Sequence, residues 1–223
     1  MRTFNKELQQ QLSPVQALQI LKDGNERFLK NLKVNRNLLQ QVNETRDGQF
    51  PFAVVLSCID SRTSAELVFD QGLGDIFSVR IAGNVVNEDI LGSMEFGCKV
   101  AGAKIIVVLG HTKCGAIKGA CDSVKMGNLT TLLKRIEPAI EQETATTHNR
   151  NSYNPAFVEN VADINVHMNV QRIMDESPIL REMVENGEIA IVGAMYDVAI
   201  GKVEFYDDAM LLKSKELVSE TVA

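Results

Sequence analysis

Three residues of this 223-residue chain have the types and spacing to bind a metal ion: Cys58, His111 and Cys114. The first opens the run Cys58-Ile59-Asp60-Ser61-Arg62, and the other two bracket His111-Thr112-Lys113-Cys114. Two thiolates and an imidazole form a normal ligand set for zinc. Three protein ligands leave a fourth position open for water, which is the catalytic pattern rather than the structural one. Two roles are open to Asp60. It can close the site as a fourth ligand, or it can accept a hydrogen bond from a hydroxide that zinc supplies while Arg62 holds it. Arg62 suits the second role, because its planar fork pairs with a carboxylate bidentately and stays charged. Taken singly, a Cys at a strand end is an ordinary small buried residue. C-x-D-x-R at one strand end with H-x-x-C at another is far more specific.

The chain must bring positions 53 residues apart together (111 − 58). The run 52–56 is short, continuous and apolar, as in a strand buried on both faces, and Cys58 follows it closely. The run 104–109 is the clearest strand, and His111 follows it. In an open parallel sheet, ligands bind outside the carboxyl ends of the strands, near the switch point of the strand order. With the order 2-1-3 these two strands are neighbours, and their ends set Cys58 beside His111. Cys114 then begins the next helix, where the amino terminus favours a thiolate.

Further strands are expected at 76–81, 189–198 and 203–206. Ser13-Pro14-Val15-Gln16 is a capping box with proline at the first helical position, opening a helix to about residue 31. Other helices are expected at 63–70, 87–100, 115–125 and 129–143, from Asn154-Pro155 onward, and from Ser177-Pro178 to Asn186-Gly187. Segments 33–49 and 144–153 read as polar and aperiodic. The alternation implies an α/β fold with a mainly parallel central sheet, order 2-1-3-4 plus an edge strand, flanked by helices and extended by helices at both ends. The expected organisation is one domain over 1–223, with a helical arm at 1–33 and a zinc-binding core at 50–208.

Lys plus Arg number 23 and Asp plus Glu 29, a net charge of −6, which argues against nonspecific binding to nucleic acid or an anionic membrane. Hydrophobic residues at 45% and charged residues at 23% exclude disordered and fibrous classes. The amino-terminal MRTFNKELQQQL shows no apolar signal core, and no run approaches the roughly 18 apolar residues of a membrane span. A cytoplasmic protein is expected. Cys98 and Cys121 fall among apolar neighbours on helices and read as core; His148 reads as solvated, and His167 as structural. Gly83 and Asn84 follow the second strand, where glycine either permits close backbone approach to a ligand or simply makes a turn.

At these residues the sequence resembles the beta-class carbonic anhydrases. Cys58-Ile59-Asp60-Ser61-Arg62 matches that family's C-x-D-S-R, and His111-Thr112-Lys113-Cys114-Gly115 its H-x-x-C-G. Arg80-Ile81-Ala82-Gly83-Asn84 is similar to its R-N-x-x-N segment, with Ile81 in place of Asn. The resemblance runs from about Ser13 to Asp208, and its bacterial, plant-like subtype fits best. It implies one zinc per chain on Cys58, His111 and Cys114, with an Asp60–Arg62 catalytic dyad. The implied reaction is the reversible hydration of carbon dioxide to bicarbonate and a proton, by hydroxide that zinc supplies.

The same resemblance implies substrate contacts from Gln49, Phe77, Ala82, Phe96 and Gly115. It also implies a homodimer or homotetramer with active sites near the interface, the amino-terminal helix embracing a partner, and Gln49 and Phe96 reaching the neighbour's zinc. A second subtype holds regulatory bicarbonate with Trp, Arg and Tyr. Arg80 and Tyr196 occupy two of those positions, but Val55 stands at the third and the chain has no Trp, which argues against that regulation.

Three other readings share some of these residues. A zinc hydrolase of carbon disulfide or carbonyl sulfide would use the same motifs. A non-catalytic closed zinc module would keep Asp60 as permanent fourth ligand, and Arg62 argues against it by offering Asp60 another partner. A Cys58–His111 thiol nucleophile would leave Cys114 and the dyad idle, and no C-x-x-C is present for redox work.

Overall fold

The computed structural model describes residues 3–212. The chain begins with helices α1 (Lys6–Gln11), α2 (Pro14–Leu29) and α3 (Leu38–Thr45). Strand β1 (Ala53–Ser57), the short α4 (Ala65–Val68), β2 (Ile76–Arg80) and α5 (Glu88–Glu95) follow. Next come β3 (Ile105–His111), α6 (Gly115–Cys121), α7 (Gly127–Leu133) and α8 (Glu137–Gln142). The 22-residue α9 (Pro155–Glu176), α10 (Pro178–Glu185), β4 (Ala190–Tyr196) and β5 (Val203–Leu211) complete it.

The strands form one sheet in the order β2-β1-β3-β4-β5, with β5 antiparallel to β4 and every other pair parallel. The sequence-derived order 2-1-3-4 with an edge strand is the order observed. Side chains alternate across the sheet at the period of two that a pleated strand imposes. Ala53 and Val55 of β1 and Ile105, Val107 and Leu109 of β3 pack against α2 and α4. Val54, Leu56, Ile106 and Val108 face the other way, toward α5, α9 and α10. Both faces are covered, so these strands are apolar throughout. A third apolar cluster lies beyond the strand ends, where α6, α7, α8 and α9 enclose Cys58 and Cys114.

Two devices fix the ends of this scaffold. Ser13 and Gln16 form the expected capping box on α2, which then buries Ala17, Leu18 and Leu21 on the sheet. Gly110, next to His111, carries no side chain because a Cβ there would lie 2.5 Å from Val166 of α9. The helix can therefore lie close on β3.

Several local expectations need correction. Segment 33–49 is not a continuous loop, since Asn37 caps α3 inside it. The helix expected at 129–143 is two helices, interrupted around residues 134–136. Residues 87–100 begin as α5 but end in a wider π-helical turn, Phe96–Val100. Strand β5 extends to Leu211 rather than stopping at Tyr206. The expected C-terminal helical extension lies outside the described residues.

Candidate metal centre

The parallel pairing of β1 and β3 sets Ser57 opposite Leu109, so Cys58 and His111 emerge together at the carboxyl end of the sheet. Cys114 is the N-cap residue of α6 and turns back to the same point. The candidate ligand atoms of Cys58, His111 and Cys114 all lie within 4.8 Å of one another, and all three residues are buried. The two sulfurs are 4.0 Å apart.

The loops around this cluster are tied down by specific hydrogen bonds. Lys113 adopts a left-handed backbone (φ 58°), and its N–H donates to Glu159 of α9 at 2.9 Å, which shapes the turn between His111 and Cys114. On the other loop, Thr63 Oγ1 donates to the carbonyls of Cys58 and Asp60. Arg80 donates to the same two carbonyls, at 3.0 and 2.7 Å. Gly83 (φ 72°) brings its backbone N–H to within 3.3 Å of Cys58 Sγ. That decides between the two sequence readings of Gly83: the backbone does approach the site.

The donor chemistry fits a metal ion of the zinc type. His111 Nδ1 lies 3.0 Å from the Thr112 carbonyl, which can only accept, so Nδ1 carries the proton. Nε2 is then left as a bare lone pair, buried and without any hydrogen-bond partner. An orphaned buried acceptor is costly unless a ligand uses it. Orienting a ligating imidazole through a carbonyl on its other nitrogen is a common metal-site arrangement. Without an ion, the Cys114 thiol is the main influence lowering the Cys58 pKa, with the Gly83 amide adding and burial opposing. The Cys114 thiol is correspondingly pushed up, first by Cys58 and then by burial.

Asp60 stands apart from the three. Arg62 grips both its oxygens, Nε at 2.9 Å and a terminal nitrogen at 2.7 Å, and the Arg62 backbone N–H adds a third bond at 2.9 Å. The guanidinium holds the Asp60 carboxyl well below the usual carboxylate range, against burial.

A cavity of about 270 Å³ opens onto Cys58 and Asp60, and Ala82 and Gly115 line it. Phe77 and Phe96 do not. Their rings meet edge to face at 6.2 Å in a separate groove with Arg80, Glu88 and Asp89. Gln49 is exposed just before β1 and is not part of the cavity wall. Tyr196 is buried at the end of β4, Val55 lies within the sheet, and Arg80 is engaged with backbone carbonyls. Cys98 is buried in the core as expected, whereas Cys121 is half-buried. His148 is exposed; His167 stacks on Tyr206 at 4.8 Å between Asp163 and Asp208. Glu159 and the leucines of α7 were not singled out by sequence. They lie 14 or more residues from either ligand motif, and only the packing of α6, α7 and α9 brings them near.

The chain is similar to known proteins in sequence and fold. The family model described as carbonic anhydrase matches residues 53–203. Carbonic anhydrase 2 of Mycobacterium tuberculosis is 35% identical over 203 residues, covering 87% of this chain and 94% of that protein. Among solved structures, the beta-carbonic anhydrase CafA of Aspergillus fumigatus superposes with a TM-score of 0.67 at 28% identity, over 76% of this chain and 81% of its own. A tetrameric beta-carbonic anhydrase of Sordaria macrospora shares the fold at a TM-score of 0.65 and 24% identity, over 73% of this chain and 83% of its own.

Proposed function

The chain belongs to the beta class of carbonic anhydrases, and from that premise we propose that it binds one zinc ion per chain and hydrates carbon dioxide reversibly to bicarbonate and a proton. Cys58, His111 and Cys114 would hold the ion. When bound, zinc supplies a hydroxide nucleophile near neutral pH by lowering the pKa of water toward about 7. The observation that carries the reading is the state of Asp60. Its carboxylate is engaged by Arg62 on both oxygens and stands outside the three-residue cluster, so a bound ion would be held by Cys58, His111 and Cys114 with Asp60 committed to Arg62. This also speaks against the closed, non-catalytic module.

The remaining roles follow from the chain's own groups. Asp60 is an ionised acceptor that can take a hydrogen bond from a nucleophile and aim its lone pair at the substrate carbon. Arg62 fixes the carboxylate plane and keeps it from collecting a proton. Gly115, at the first position of α6, offers a backbone N–H toward developing negative charge on the substrate oxygens. Ala82 supplies apolar wall. Gln49, Phe77 and Phe96 lie outside that cavity within one chain; in the proposed assembly Gln49 and Phe96 reach a neighbour's site, and Phe77 backs the Phe96 ring. A homodimer or homotetramer of that kind is part of the proposal, and the exposed apolar Phe96 and Val100 support it. So are the single-domain organisation over 1–223, with its 1–33 arm and 50–208 core, and a cytoplasmic location. Among the described residues, no helix is long and apolar enough to cross a membrane.

Metal analysis with stopped-flow hydration assays tests the reading. The expected result is one zinc per chain and hydration that rises with pH through neutrality. Zinc-loaded protein without hydration activity at mildly alkaline pH would overturn it.

A further inference from the structure

The wall of the Cys58 cavity does not come from the two phenylalanines that sequence pointed to. It is a slot between two helices. On one side, α6 presents Gly115, Ala116 and Gly119, three small residues on one helical face. On the other side, α7 presents Leu129 and Leu133, one helical turn apart. At the base of the slot lie Cys58 and Asp60, next to the buried lone pair of His111 Nε2.

Gly119 is the residue to explain. Its backbone is helical and needs no glycine, and glycine in a helix interior costs stability. A Cβ built there would lie 3.4 and 3.9 Å from the two Leu133 methyls, which is ordinary contact distance. Any atom beyond that Cβ must therefore enter the slot or displace Leu133. At Gly115 a Cβ would meet nothing within 4 Å, so that end of the slot is open.

We propose that the α6–α7 slot is the route by which a small, linear, apolar molecule reaches the Cys58–His111–Cys114 cluster, and that Gly119, Leu129 and Leu133 set its bore. The inference rests on the proposed reaction for naming carbon dioxide as that molecule. An apolar passage favours a nonpolar gas over hydrated ions, because leucine and alanine walls give an ion nothing in exchange for its hydration shell. Gly119, Leu129 and Leu133 would thus be selectivity residues that act by volume and touch no reacting atom except through the substrate.

Narrowing the slot from either wall tests this, with Gly119→Val on α6 and Leu129→Phe on α7. Both variants should retain zinc and their unfolding midpoint. Their kcat/KM for carbon dioxide should fall at least about tenfold while kcat changes less, the mark of impaired access rather than impaired chemistry. A second readout is independent of catalysis: under xenon pressure, the gas should occupy the slot of the native protein and be displaced in Gly119→Val. Folded, zinc-loaded narrowing variants with kcat/KM within about twofold of the native value would overturn the proposal, as would a native slot that takes up no xenon. If the native protein shows no hydration at all, the proposed function fails, and xenon occupancy still decides the slot.

Discussion

Two aspartates ten positions apart, Asp60 and Asp70, are each gripped by arginine, yet the two regions do different work. Asp60 pairs with a neighbour two residues along the chain, and that Arg62 side chain is 49% exposed. Asp70 is 3% exposed and pairs with Arg27 at 2.6 Å and Arg36 at 2.5 Å, from segments more than 30 residues away. Arg36 also donates to the Asp70 carbonyl, and the Val34 N–H completes the set. The first pair is local and borders open space, so it can orient a group without holding the fold. The second is long-range and buried at Asp70 and Arg36, and it clamps the 27–36 segment onto the turn between α4 and β2. Ion-pair chemistry is the same in both; sequence separation and burial decide which one serves a site and which an architecture.

The largest expected effect breaks the first pair. Asp60→Asn should lower hydration activity by about 10²- to 10⁴-fold. Its denaturant midpoint should barely move, since one partner is exposed and screened. Asp70→Asn should do the reverse, costing about 3 kcal/mol by stranding buried guanidinium charge. Activity per folded, zinc-loaded molecule should be unchanged.

The sign of its pH dependence follows from the Asp70 pKa. Burial acts to raise it, but Arg27, Arg36 and the Val34 amide outweigh burial and hold it below the ordinary value. Stability from this group is therefore fully present above the unfolded-state pKa of about 4 and is lost as pH falls through the folded value. Urea unfolding at stepped pH should show the Asp70→Asn deficit shrinking in acid.

The smallest effect concerns His167, whose partners Asp163 and Asp208 are both exposed. Burial pulls its pKa down, and the Asp163 carbonyl together with the Asp208 and Asp163 carboxylates more than reverses that, so the net shift is upward. Stabilisation is then present below its unfolded pKa near 6.5 and lost as pH rises through the folded one. His167→Gln should cost less than about 1 kcal/mol at pH near 6, and that cost should disappear in alkali. A larger or pH-independent loss would place His167 with Asp70 as an architectural clamp.

Much of this was legible in the sequence, for physical reasons. Strands β1 and β3 are buried on both faces and so read as unbroken apolar runs, and the 2-1-3 order then placed Cys58 beside His111. Helix α3 was not legible because its apolar residues Leu38, Leu39 and Val42 are exposed and its one buried residue is Gln41, which inverts the usual signal. Gln41 accepts from the Leu73 backbone, a contact that no periodicity reveals. The π-helical turn after α5 was also hidden, because it changes helix pitch without changing composition. Phe77 and Phe96 were named by family resemblance alone, and within one chain they line a separate groove. The leucines of α7 had no motif and became visible only once α6 and α7 lay side by side.

The pairing of Ser57 with Leu109 has one further consequence. A slip of β1 along β3 by a single residue would shift Cys58 by about 3.3 Å and turn its neighbours to the opposite face. Such a chain would still bury valines and isoleucines on both sides of the sheet, so hydrophobic burial alone discriminates poorly against it. It could not gather two sulfurs and an imidazole nitrogen within 4.8 Å. An ion held by these three side chains would therefore proofread strand alignment: it would bind only the chain whose sheet is in register and, by mass action, would draw misaligned chains back toward that arrangement.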